Sequence, residues 1–118
     1  MQVLYTAEAT AWGGREGRAA SSDTNLDVQL AVPKELGGPG GSGTNPEQLF
    51  AAGYAACFHS ALKLVAAQQK LDVSESAINV SDGNGPNDTG GFGQTVAIEA
   101  ELPGLYRQQA QALVDSSH

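Results

Sequence analysis

The 118-residue sequence predicts an α+β fold of order βββαββα, with antiparallel sheets around a central buried helix, and three observations point to it. Apolar and polar residues alternate over residues 2–12, 25–32 and 95–102, the period of half-buried strands. A single segment running from Thr44 or Asn45 to about Gln69 is apolar on every side at helical spacing, the composition of a central helix. Glycine- and proline-rich stretches separate these segments without repeats or linkers, so residues 1–118 read as one domain.

The first strand, 2–12, sets Val3, Tyr5, Ala7, Ala9 and Ala11 against Gln2, Thr6, Glu8 and Thr10, and Gly13-Gly14 punctuates it as a turn. Residues 25–32 set Leu26, Val28, Leu30 and Val32 against Asn25, Asp27 and Gln29, and Pro33 stops the run. With a strand over 15–22 between them, an antiparallel meander follows. Residues 36–43 hold too many glycines for helix or strand and form a tight loop. It resembles a phosphate-binding loop only in part: Thr44-Asn45 stands where that motif needs Lys and then Ser or Thr, which argues against nucleotide binding. Pro46 suits a first helical position and Glu47 a first turn. Beyond the helix, 77–81 reads as a strand, Asp82 to Pro86 and Gly90-Gly91 as turn material, 95–102 as a strand, and 105–116 as a second helix with Leu105, Ala112 and Leu113 on one side.

Net charge is −7, from only six basic side chains, which leaves little to neutralise phosphates, so nucleic acid and anionic membrane are not expected partners. No uninterrupted apolar run reaches the roughly 18 residues of a spanning helix, and the first residues lack the pattern of a signal peptide, so a cytoplasmic address is expected. Two glycosylation-type motifs, at Asn79 and Asn87, read as surface loops. One cysteine excludes an intrachain disulfide, and Cys57 with only His59 and His118 cannot build a four-ligand zinc site; no metal or cofactor is expected.

Cys57 is therefore packing or chemistry. A cysteine in an alanine-rich helix is more often a small hydrophobe, and reactivity needs a thiolate, hence a nearby cation or hydrogen-bond donors. His59, two residues on and rotated by about 200°, points away from Cys57. Among the six cations, Arg15 and Arg18 lie beside a glycine turn, although an arginine in either place, taken alone, is more often a surface charge.

Several segments together carry a resemblance: Val3-Leu4-Tyr5-Thr6-Ala7, the Gly13-Gly14-Arg15 turn, Pro33 to Gly38, the long contiguous run from Gly40 to Phe58, and Gly91-Phe92-Gly93. Along essentially its whole length the chain resembles the organic hydroperoxide resistance (Ohr) family of the OsmC-like superfamily. The resemblance implies a thiol peroxidase in the response to oxidative stress. It also implies an intertwined homodimer with active sites at the subunit interface, organic hydroperoxides as substrates, and dithiol reductants of the lipoyl-bearing class. Position by position, Cys57 matches the peroxidatic cysteine, Arg15 the arginine of the Gly-Gly-Arg turn and Glu47 the glutamate of Thr-Asn-Pro-Glu-Gln. That chemistry is coherent: Arg15 favours a thiolate and a departing alkoxide, and Glu47 fixes the guanidinium fork. Phe50, Tyr54, Phe58 and Phe92 are the expected apolar substrate pocket, favouring bulky alkyl or lipid peroxides.

Arg15 rather than Arg18 is expected to act, since on a regular strand the two face opposite sides. Glu47 and Cys57, ten residues apart, span about 15 Å of helix, so a shared site requires either that the helix start after Glu47 or that Glu47 come from a second subunit. The family follows its last helix with a segment that bears a resolving cysteine, and the given sequence stops at His118, where that segment would start, so it is expected to lack the second thiol and its turnover is in doubt. The alternative reading is a non-catalytic OsmC-like module that binds hydrophobic ligands or senses oxidation through one thiol.

Overall fold

A computed structural model describes residues 1–118. Strands β1 (Ala9–Trp12), β2 (Arg18–Ser21) and β3 (Asp27–Gln29) precede helix α1 (Pro46–Gln68); strands β4 (Ala77–Pro86) and β5 (Phe92–Glu101) and helix α2 (Arg107–Ser117) follow. The predicted order βββαββα holds, and every strand pairing is antiparallel. Contacts divide the chain into two compact units, residues 1–49 and 50–118.

In the first unit the sheet order is β1-β2-β3, with Ala9 to Trp12 paired with Ser21 to Arg18 and Arg18 to Ala20 paired with Gln29 to Asp27. The strands are shorter than the alternation predicts. Residues 1–8 lie outside the ladder, and the Glu8 carbonyl only accepts the Ser22 N–H at 2.9 Å. Residues Gly14–Glu16 form a 3₁₀ turn instead of the start of a strand. β3 ends at Gln29, and Leu30 bridges Thr44 in parallel fashion. The glycine-rich stretch folds back on the chain before it, with Gly40 N–H donating to Val32 O at 2.9 Å and Ala31 N–H to Thr44 O at 2.9 Å. That return delivers Asn45 to cap α1: its Oδ1 accepts the Gln48 N–H at 2.8 Å, with Pro46 at the first helical position.

In the second unit α1 buries Phe58, Leu62 and Ala66, an i, i+4, i+8 stripe, against Leu102, just past β5, and Leu113 of α2. Leu62 and Leu113 are fully buried. The helix closes with Lys70 in the left-handed region (φ 59°), Leu71 N–H reaching back to Ala66 O at 2.9 Å. β4 and β5 pair along ten residues each, from Ala77↔Glu101 to Pro86↔Phe92. Asp82 to Pro86, expected as turn, thus continues β4. The turn moves to Asn87–Gly91, where Asn87 Oδ1 accepts the N–H groups of Thr89 (3.1 Å) and Gly91 (3.0 Å). α2 starts at Arg107, where Gln109 Oε1 accepts the Tyr106 N–H at 3.1 Å.

The expectation of a helix buried on all sides is corrected. Within one chain α1 is covered on one face, while Phe50, Tyr54, Cys57 and Leu64 are exposed. By length and composition alone α1 is also long and apolar enough to cross a membrane, a property that an uninterrupted-run criterion misses because Glu47, His59 and Lys63 break the run.

Candidate active site

Arg15 sits in the turn between β1 and β2. Gly13 and Gly14 there take φ of 79° and 61°, and a Cβ on Gly17 would lie 1.6 Å from the Trp12 carbonyl oxygen, so the turn closes only with glycine at 17. From it the guanidinium makes two parallel hydrogen bonds, Nη1 donating to Glu47 Oε1 at 2.7 Å and Nη2 to Oε2 at 2.9 Å. This is the bidentate fork in which a planar guanidinium is fixed in direction as well as distance. Glu47 is held below the usual carboxylate range, chiefly by the hydrogen bonds from Arg15, with partial desolvation opposing, and Arg15 is pushed above its usual value by the same bonds. Position 47 in the first turn of α1 adds the positive end of the helix dipole.

The choice between arginines on strand geometry is also corrected, because Arg15 lies in a 3₁₀ turn and not on a strand. Each arginine has its own carboxylate. Arg18 Nε and Nη2 donate to Asp27 Oδ1 and Oδ2, both at 2.8 Å, and its guanidinium carbon lies 5.2 Å from the centre of the Trp12 ring. Asp27 is held below the usual range, chiefly by those bonds. Sequence reasoning missed Asp27 and Trp12. The available signal was an aspartate and an arginine nine residues apart on neighbouring strands.

Cys57 is a free, exposed thiol on α1. Phe50 and Tyr54 lie on its face of the helix, their rings stacked at 5.7 Å between centroids, and Leu64, 62% exposed, continues that face two turns on. Phe58 turns the other way: it is 6% exposed, part of the core, with the His118 ring edge-on at 5.2 Å. It therefore packs the fold and does not join Phe50 and Tyr54. Phe92 is 75% exposed at the start of β5. His59 is engaged elsewhere: its Nε2 lies 2.7 Å from Ser76 Oγ, whose own hydrogen goes to Val73 O at 2.5 Å, so His59 Nε2 is the donor. No group of three or more His, Cys, Asp or Glu side chains is gathered to hold a metal ion.

Residues 38–118 match the family described as OsmC-like protein, which agrees with an α+β chain built on a long cysteine-bearing helix. The organic hydroperoxide resistance protein of Xanthomonas axonopodis pv. citri is 58% identical over 118 residues, covering 99% of this chain and 82% of that protein. Bacillus subtilis OhrB is 45% identical over 98% of this chain and 85% of its own length. Among solved structures, an organic hydroperoxide resistance protein from Legionella pneumophila superposes with a TM-score of 0.91 at 45% identity, over 99% of this chain and 85% of that one. The chain belongs to the OsmC-like family, among its organic hydroperoxide resistance proteins.

Proposed function

We propose that the chain is a cysteine-based organic hydroperoxide reductase that works as a homodimer, with Cys57 as nucleophile and Arg15 and Glu47 supplied from a second copy. The Cys57 thiolate attacks the terminal oxygen of R–O–O–H, the O–O bond breaks, and the RO⁻ that leaves takes a proton to become the alcohol. Sulfur, two electrons poorer, retains OH as sulfenic acid. A guanidinium serves both ends of that step, stabilising the thiolate beforehand and the alkoxide as it departs. The two electrons return from a dithiol, for which lipoyl-bearing proteins are the expected class.

The observation that carries this reading is the Arg15–Glu47 fork, which orients a guanidinium in advance. α1 runs unbroken from Pro46 to Gln68, and ten residues of helix correspond to about 15 Å of rise, which supports taking Glu47 and Cys57 of one site from different copies. The exposed apolar face of α1 around Cys57 supports a second copy as the other half of the site. Phe50 and Tyr54 on that face supply the surface for an alkyl chain. Rapid mixing of reduced protein with an organic hydroperoxide tests the assignment: loss of one thiol per chain, fast and much faster than with hydrogen peroxide, is expected. A slow, unselective thiol in a chain that still binds fatty-acid-like ligands would favour the non-catalytic alternative.

A further inference from the structure

We propose that Arg18 is a positioning residue: clamped by Asp27 and lying over Trp12, it fixes the base of the turn that presents Arg15. The inference rests on the reading of Arg15 as the activating cation.

Trp12↔Arg18 is the last rung of the β1–β2 ladder, and the five residues Gly13 to Gly17 close the loop beyond it. The 3₁₀ turn has no buried residue of its own, so packing does not hold it in place. What flanks it is a stack of three side chains, one from each strand of the sheet. The Arg18 guanidinium on β2 covers the Trp12 ring on β1 and donates twice to Asp27 on β3. Asp27 pairs in register with Ala20, two residues along β2 from Arg18, so the ion pair runs diagonally across the ladder and resists shear between the strands. The pair is open to water, with both side chains 43% exposed, and such pairs add little to folding stability. A bidentate fork on an aromatic face constrains direction all the same. Each guanidinium has its own carboxylate: Arg18 is engaged by Asp27, and Glu47 pairs with Arg15.

Two rate constants of the Cys57 thiol, measured at one pH, test this. Alkylation by iodoacetamide needs only the thiolate, whereas reduction of tert-butyl hydroperoxide also needs a donor on the departing alkoxide. Misplacing Arg15 therefore lowers the second rate more than the first. Arg18→Gln and Asp27→Asn are expected to slow peroxide reduction by about tenfold or more, relative to alkylation, since displacements near 1 Å cost on that order. Arg18→Lys, which keeps the charge without the fork, should recover part of the loss, and Asp27→Asn, nearly isosteric, covers the case in which Arg18→Gln folds poorly.

Arg15→Ala is the reference. If it slows peroxide reduction while the Arg18 and Asp27 variants keep the wild-type ratio of the two rates, the inference is overturned and the reading of Arg15 stands. An equal fall in both rates, marking general loosening, overturns it as well. If Arg15→Ala itself leaves the rate unchanged, the reading of Arg15 fails and the inference falls with it.

Discussion

At Glu47 three local effects act on one carboxylate: two hydrogen bonds from Arg15, the positive end of α1 and partial burial, of which the last opposes charge and loses. A carboxyl titrating below its usual range in the folded protein stabilises the fold above that range, and the contribution disappears as pH falls through the lowered value. Carbon-detected NMR titration should find the Glu47 midpoint below that of an unpaired glutamate, and Arg15→Ala should move it upward; an unmoved midpoint would show that the fork is absent in solution. The thiol offers a second prediction at this scale. Because Cys57 is outside the core and serine differs little from it in volume, Cys57→Ser should leave the melting temperature nearly unchanged while ending peroxide consumption. A variant that consumes peroxide at the wild-type rate would sink the assignment of the nucleophile.

The helix α1 divides its work between a capped end and a buried stripe. Leu62, fully buried between β5 and α2 residues, should cost about 2–5 kcal/mol as Leu62→Ala in denaturant unfolding. Asn45→Ala, which strips the cap from Gln48 N–H, should cost about 0.5–2 kcal/mol. This element was legible in the sequence because its signals are local: Asn45 and Pro46 at the start, apolar spacing through Ala66. Strand ends were not, because a strand ends where its partner does, and the partner is distant in sequence. Asp82-Gly83-Asn84-Gly85-Pro86 has turn composition yet pairs with Phe92 to Val96, and Val3 to Ala7 alternates like a strand yet has no ladder in this chain. The site divided the same way. Cys57, Arg15 and Glu47 are proposed through a family motif, while the fork between residues 32 apart, and the Asp27 and Trp12 side chains around Arg18, follow from no periodicity. Helical rotation placed His59 away from Cys57, but rotation relative to an unknown core could not say that Phe58 points inward.

For the whole molecule the proposed exchange of Arg15 and Glu47 between subunits has a direct test. Cys57→Ser and Arg15→Ala chains, each inactive alone, should regain peroxide reduction when unfolded together and refolded, since each hybrid dimer then holds one intact site. Hybrids that stay inactive would place all three residues in one chain, whereas an Arg15→Ala chain that is active alone would remove Arg15 from the chemistry. The same arrangement bears on how the protein melts. The face of α1 carrying Phe50, Tyr54 and Leu64 is apolar and open to water in a single chain. If a second copy covers it, unfolding also dissociates, and mass action then ties the melting temperature to the amount of protein present. A melting temperature that climbs with each dilution step reversed, and climbs less for Leu64→Ala, is the behaviour expected of that pairing, in which thermal stability would be a property of concentration as much as of sequence.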